Sequence, residues 1–320
     1  MSKEIELKMV VMPAALKSVL PVLLNRLGAQ EVKETWLVNA YFDTSELLLN
    51  QARIALRVRQ KEGLFIQTLK TKGYSAGGLS QRGEWEWVVP ENKLDVSLLH
   101  EGLWPSDIPV EELDAVFETN FKRISAIIEC SGAKIELAVD EGCISSDEAK
   151  VPLAEIELEL MQGDVDVLFE VASIIAKTMP VMLADVSKAE KGYRLKDNSL
   201  SNEFLYSYEC VSDHKAYVKN LVSRNLAYWL YLVDRASVEF SRSLLADMAG
   251  VLCVLREVVS NYKYADSSKA FVSAGLFDSE IEYLNDLLAG DVMAGGVDQL
   301  LAQTRAGVLA IDLSRWLRSI

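Results

Sequence analysis

The sequence predicts an α+β protein, with antiparallel β-structure and flanking helices over residues 1–200 and an all-α region over 205–320. Three observations carry this reading. Many segments in the first two hundred residues alternate apolar and ionic side chains with a period of two, the period of a strand. Two segments among them repeat apolar residues at three- and four-residue intervals, the spacing of a helix face. Beyond residue 205 only the helical period remains.

The elements follow in chain order. In EIELKMVV (4–11), alternation puts Glu4, Glu6 and Lys8 on one strand face and Ile5 and Leu7 on the other. PAALKSVLPVLLNRLG (13–28) reads as a helix, with Leu16, Val19, Leu20, Leu23, Leu24 and Leu27 on one stripe and Gly28 as a stop. Strands follow at WLVNAYFD (36–43), IALRVRQ (54–60), FIQTLKTK (65–72) and QRGEWEWVV (81–89). Their ionic faces carry Arg57 and Arg59, then Lys70, then Arg82, Glu84 and Glu86. GGLSQR (77–82) reads as a hairpin turn at Gly77 and Gly78. FKRISAIIE (121–129) opens a strand near Arg123, and KIELAVDEG (134–142) and VPLAEIELELM (151–161) complete the set. These last two set Lys134, Glu136, Asp140, Glu155, Glu157 and Glu159 against aliphatic residues. DVDVLFEVASIIAKTM (164–179) is a second helix, with Asp164 a candidate N-cap. Polar DNSLSNE (197–203) is the candidate linker, and GDVMAGG (290–296) is a loop between helices. Residues 225–259 read as one long helix, followed by helices in 278–288 and 297–320.

The ionic faces hold both signs of charge and almost no Ser, Thr, Asn or Gln. Two arrangements fit them. One is a sheet with a solvated face, common in antiparallel proteins. The other is a closed barrel with the ions inside and the two helical stripes covering the apolar exterior; eight strands leave room for one small ligand. A charged interior is costly unless its ions are paired, hydrated or occupied. Facing cations and carboxylates would suit a polyanion escorted by divalent metal ions.

Bulk properties exclude several classes. The formal net charge of −14 argues against nucleic acid and anionic membranes as partners. Cys130, Cys143, Cys210 and Cys253 form no CxxC pair and only two histidines are present, so a Cys/His zinc site is not expected. Unpaired thiols, a charged N-terminus without a signal core and no long uncharged apolar run lead to a cytoplasmic expectation.

Taken together, these segments resemble the CYTH domain proteins, or triphosphate tunnel metalloenzymes. The resemblance is carried by ExExK at Glu4, Glu6 and Lys8, with YFDT (41–44), ALRVR (55–59), TLKTKG (68–73), GGLSQRGEWE (77–86), FKR (121–123), LAVDEG (137–142), AEIELEL (154–160) and SKAEKGYRL (187–195). It implies a closed eight-stranded antiparallel β-barrel, the triphosphate tunnel. It further implies metal-dependent hydrolysis of inorganic triphosphate, or another small polyphosphate, to pyrophosphate and phosphate with Mg²⁺ or Mn²⁺. Lys8, Arg57, Arg59, Lys70, Arg82, Arg123 and Lys188 would grip phosphate oxygens, and Glu4, Glu6, Asp140, Glu155 and Glu157 would hold metal. Glu159 is expected as an ionic partner at the tunnel mouth. Lys134, Glu84, Glu86, Glu136 and Lys191 are either further lining or mutual salt bridges. Thiamine or nucleoside triphosphate hydrolysis, class IV adenylyl cyclase chemistry and non-catalytic polyphosphate binding are the alternatives. Residues 205–320 are similar to a shortened, degenerate CHAD domain, the helical partner of CYTH in bacterial inorganic triphosphatases. They depart from it in lacking any histidine after His214. A scaffold or self-association surface, and so a possible homo-oligomer, is the expectation for this region.

Overall fold

Every strand with ionic and apolar faces has an unfavourable side to hide, and closing the sheet resolves the conflict. A computed structural model describes residues 2–99, 104–147, 149–197, 213–237, 239–262, 272–290 and 296–320. Its strands are β1 (Ser2–Val11), β2 (Gln30–Asp43), β3 (Ala55–Lys61), β4 (Leu64–Lys70), β5 (Tyr74–Ala76), β6 (Leu79–Val89), β7 (Asp114–Cys130), β8 (Ala133–Ser146), β9 (Ala149–Gln162) and β10 (Val181–Leu183). The order β1-β9-β8-β7-β2-β3-β4-β6 returns to β1, and every pairing is antiparallel. Eight strands thus form a closed barrel. The ionic face is its interior, which overturns the solvated-sheet alternative: Asp140 and Glu155 are both 0% exposed.

The apolar exterior is covered by α1 (Pro13–Arg26) and α3 (Asp166–Thr178). Leu7, Ile135, Leu137, Ile156 and Leu158 of the strands pack in one cluster with Leu16 and Leu23 of α1 and Leu168, Val171 and Ile175 of α3. Each such buried aliphatic side chain contributes about 2 kcal/mol, which offsets the cost of gathering ions within. Asp164 stands one residue before the cap position of α3, where its carboxylate accepts the Asp166 amide at 2.9 Å.

Short elements complete the barrel. α2 (Leu48–Gln51) is tied down by the buried carboxylate of Asp43, which accepts the amides of Thr44, Leu49 and Asn50. β5 and β10 were not expected from the sequence; three residues are too few to show a period. Arg123 sits in the middle of β7 rather than near its start, because the strand begins at Asp114. α4 (Lys188–Lys196), capped by Ser187, places its first residue in the barrel.

The C-terminal region contains α5 (His214–Ala236), α6 (Arg242–Asn261), α7 (Ala274–Ala289), α8 (Gly296–Leu300) and α9 (Thr304–Ser319). The long helix expected over 225–259 is broken between α5 and α6, where the Ser241 hydroxyl caps a new start by accepting the Leu244 amide. The expected linker and the 290–296 loop fall largely outside the described residues. α9 packs on α3 and β10, and its buried Ser314 donates to the Gly77 carbonyl at 3.1 Å. Among the described residues, no helix is long and apolar enough to cross a membrane.

Candidate active site in the barrel interior

Alternation sends every second side chain of the barrel strands inward, around a cavity of about 270 Å³. Of the residues singled out from sequence, Glu4, Glu6, Lys8, Arg57, Arg59, Lys70, Arg82, Arg123, Glu157 and Lys188 line it. Asp140 and Glu155 lie just behind, fully buried, in contact with Lys188.

On one wall the register sets Arg123 opposite Asp140 and Asp140 opposite Glu155. Carboxylate oxygens of Asp140, Glu155 and Glu157 all lie within 4.8 Å of one another. Lys188 Nζ enters this cluster from α4, 2.7 Å from Asp140 Oδ2 and 2.9 Å from Glu157 Oε1, and it also donates to Glu155. Arg123 grips Asp140 bidentately, with both bonds at 2.7 Å, and reaches Glu157 Oε2 at 2.8 Å. Burial opposes ionisation of Asp140 and Glu157. The charges of Lys188 and Arg123, joined at Glu157 by Lys8, outweigh it and hold both carboxyls below their usual range. Burial likewise opposes the charge on Lys188, and the same acids overcome it and raise its pKa.

A second wall carries the ExExK residues. Glu4 accepts from Lys70 Nζ at 2.7 and 2.9 Å and from Arg82 Nε at 3.1 Å. Glu6 accepts from Arg82 Nη2 at 2.9 Å and from Ser80 Oγ at 3.1 Å. Lys8 Nζ joins the walls, 3.8 Å from Glu6 and 3.4 Å from Glu157.

The third group is short of negative charge. Arg57 touches Tyr41 Oη at 3.5 Å and stands 3.9 Å from Glu84, while its buried Nε makes no hydrogen bond. Arg59 donates to Asn39 Oδ1 at 2.7 Å, and Asn39 is anchored in turn on the Thr119 carbonyl at 2.8 Å. Among the described residues Arg59 has no carboxylate within 4.0 Å. Burial, then the charges of Arg57 and Arg123, push its pKa down to about 9. It stays charged at neutral pH in a place that an anion would stabilise.

The residues left open by the sequence divide. Glu84, Glu86 and Glu136 line the cavity; Glu84 pairs with Lys70 at 3.1 Å and Glu86 accepts from Thr68 at 3.2 Å. Lys134 is not part of the lining, and Lys191 stands 3.8 Å from Glu155 Oε2. Glu159 differs from the ionic partner expected, since no cation lies within 4.0 Å of it among the described residues. The reason is register: its ladder neighbours are Glu6 and Glu136. Burial and the charges of Glu4 and Glu136 push its carboxyl up to about 7. Sequence reasoning passed over Asn39 and Tyr41, whose inward parity in WLVNAYFD was the available signal.

The Asp140–Glu155–Glu157 cluster fits a hard divalent cation. It offers converging carboxylate oxygens, and the buried Glu155 Oε2 makes no hydrogen bond of its own.

Comparison with known proteins finds several that this chain resembles. The inorganic triphosphatase of Haemophilus influenzae is 32% identical over 206 residues, 64% of this chain. This chain spans 58% of the length of that relative. Among solved structures, a candidate adenylyl cyclase from Hippeastrum with a dominant triphosphatase activity aligns with a TM-score of 0.45 and 18% identity, over 59% of this chain and 95% of its own. A candidate adenylate cyclase from Bacillus halodurans aligns with a TM-score of 0.37 and 24% identity, over 56% of this chain and 91% of its own. The CYTH domain family model matches residues 2–193, and the chain therefore belongs to the CYTH domain family.

Proposed function

We propose that the barrel hydrolyses inorganic triphosphate to pyrophosphate and phosphate with the help of Mg²⁺ or Mn²⁺. The observation that carries this reading is a juxtaposition within one cavity. Arg57 and Arg59, the latter with no carboxylate within 4.0 Å among the described residues, line the same cavity as Glu157, and Asp140 and Glu155 cluster with Glu157 just behind the lining. Such a site suits a highly charged anion and the cations that accompany it. The similarity to an inorganic triphosphatase supports the same substrate.

Arg57 and Arg59 would seat phosphate oxygens with planar, bidentate donors, and Lys8, Lys70, Arg82, Arg123 and Lys188 would neutralise the remaining charge. Hydrolysis forms a bond from a water oxygen to the terminal phosphorus and breaks that phosphorus's bond to the bridging oxygen, which leaves on pyrophosphate. Fixed cations lower the cost of charge on that leaving oxygen. Asp140, Glu155 and Glu157, with Glu4 and Glu6 on the adjoining wall, would hold the divalent ion, which supplies charge neutralisation and a more acidic bound water. We place the reaction in the reducing cytoplasm, where Cys130, Cys143 and Cys253 would remain the free thiols they are here.

The test is phosphate release from inorganic triphosphate, ATP and thiamine triphosphate in parallel, with Mg²⁺, Mn²⁺ or EDTA, and cyclic AMP measured in the ATP reaction. Strong release from inorganic triphosphate alone, abolished by EDTA, is expected. Cyclic AMP formation, preference for an organic triphosphate, or equal activity in EDTA would overturn the reading.

A further inference from the structure

One rung of the barrel crosses three neighbouring strands: Thr119 of β7 lies opposite Asn39 of β2, and Asn39 lies opposite Arg59 of β3. Asn39 has the inward parity of Leu37 and Tyr41, and both it and Thr119 are fully buried. The Asn39 amide uses both of its ends within this rung. Nδ2 donates to the Thr119 carbonyl at 2.8 Å, and Oδ1 accepts Arg59 Nε at 2.7 Å. The partners fix which end is which, because a carbonyl only accepts and a guanidinium only donates. Most other cations of the cavity are held by acids. Lys70 and Arg82 donate to Glu4, Arg123 and Lys188 lie on Asp140, and Lys8 stands 3.4 Å from Glu157. A carboxylate that holds a cation also cancels its charge. The Asn39 carbonyl holds Arg59 and leaves the charge uncancelled. Tied at Nε, the guanidinium has its plane set, and among the described residues its two terminal nitrogens make no hydrogen bond.

We propose that Asn39 is a positioning residue for triphosphate: it fixes Arg59 in the plane that seats phosphate, through a neutral acceptor that leaves the guanidinium's charge to the substrate. This rests on the triphosphatase reading and deepens it. An acid at position 39 would compete with phosphate for Arg59. An aliphatic side chain would leave Arg59 Nε and the Thr119 carbonyl without their partners, and the guanidinium free to turn. Because Asn39 acts through Arg59, its contribution to substrate binding vanishes once Arg59 is gone.

The experiment is a double-mutant cycle of Asn39→Ala and Arg59→Ala, read as the Kd for triphosphate by calorimetry in EDTA and as kcat/KM with Mg²⁺. Gln67→Ala is the control. Gln67 is likewise fully buried and bonded at both ends of its amide, to the Asp95 carbonyl at 3.1 Å and the Asp95 amide at 2.7 Å, but it belongs to the opposite face of β4 from Thr68 and Lys70. In the wild-type background Asn39→Ala is expected to raise Kd and lower kcat/KM about tenfold. In the Arg59→Ala background the same change should move either quantity less than about twofold. Gln67→Ala should lower Tm and leave Kd unchanged. Circular dichroism checks folding; if Asn39→Ala does not fold, Asn39→Thr takes its place, since a hydroxyl cannot span both partners and threonine suits a strand. Equal effects of the Asn39 change in both backgrounds would overturn the proposal, as would a lowered Tm with an unchanged Kd. A wild type that binds triphosphate without hydrolysing it would sink the functional reading alone, and the binding cycle would still decide the role of Asn39. A wild type that binds no triphosphate would refute both.

Discussion

Lys188 holds together three carboxylates that would otherwise repel one another in a buried place. Replacing it by an uncharged side chain leaves Asp140, Glu155 and Glu157 without the ammonium at their centre, and removing one partner from a buried ionic cluster costs about 3–5 kcal/mol. Lys188→Gln is therefore expected to melt well below the wild type in EDTA, and Mg²⁺ should raise its Tm more than it raises that of the wild type. Equal Mg²⁺ shifts in the two proteins would count against a metal at these acids. Arg59 has the opposite problem, a cation short of anions. Arg59→Ala should lower kcat/KM for triphosphate by about a hundredfold, and Arg59→Lys should recover little of it because an ammonium lacks the planar fork. Steady-state kinetics of the pair checks this, and full rescue by lysine would refute bidentate seating. Glu280 on α7 is 1% exposed, and its Oε2 makes no hydrogen bond. Burial pushes it up to about 7 against the nearby charge of Arg305; Tyr283 is the other titratable group facing it. A carboxyl with a raised folded pKa stabilises the fold most below its unfolded value, and that contribution is lost as pH climbs towards 7. The unfolding free energy from denaturant titrations should thus fall by about 1–3 kcal/mol between pH 4.5 and 7 from this group, and Glu280→Gln should flatten that stretch.

At the scale of elements, short pieces govern how the ExExK strand is held. The β5–β6 hairpin turns on Gly77 and Gly78 at φ of +60° and +80°, a backbone region where other residues are strained. The Gly78 carbonyl accepts the Lys8 amide at 2.8 Å, and the Ala184 amide, just after β10, donates to the Lys8 carbonyl at 3.0 Å. The Lys8 backbone is thus clasped on both sides by segments that α9 presses upon. Gly307 lets α9 approach: a Cβ there would lie 2.1 Å from the Val181 carbonyl oxygen. Gly307→Val should therefore destabilise the protein by about 2 kcal/mol or more, read from the denaturant midpoint. An unchanged midpoint would mean that α9 does not bear on β10. The same contrast explains what the sequence disclosed. The barrel strands were legible because each alternates ionic and apolar residues over several positions, and α1 and α3 because their stripes are long. β5 and β10 were not, since three residues carry no period and are strands only by virtue of their neighbours. The break between α5 and α6 was hidden because Ser237–Ser241 lies between two runs that share a helical period. In the site, the identities of the ionic residues were legible and their partners were not. Glu159 looked like a salt-bridge acid until strand register set it between Glu6 and Glu136.

For the molecule as a whole, the decisive feature is that one apolar cluster passes from the barrel exterior through α3 into the C-terminal helices. Leu158 and Leu168 belong to the same packed set as Trp229, Leu252 and Leu309. Polar ties cross the same boundary: Arg318 to Asp166 at 2.7 Å, Arg194 to Asp234 at 2.6 Å and Ser314 to Gly77 at 3.1 Å. The exposed ties contribute little individually, so the shared apolar packing is what couples the two regions. Loss of the helices would bare the apolar flank of α3 and β10, and loss of the barrel would bare α9. Unfolding is therefore expected to be one cooperative transition rather than two. The tryptophans allow a direct check, because Trp36, Trp85, Trp87 and Trp104 lie in the N-terminal region and Trp229 and Trp316 in the helices. In a Trp229→Phe/Trp316→Phe background, fluorescence follows the N-terminal region alone, while helical circular dichroism is dominated by the C-terminal helices. The two curves in guanidinium should coincide in midpoint and slope. If the helical signal were lost at a lower concentration than the fluorescence, the C-terminal region would be an appended unit, and the hold of α9 on the strands around Lys8 could not set the geometry of the tunnel.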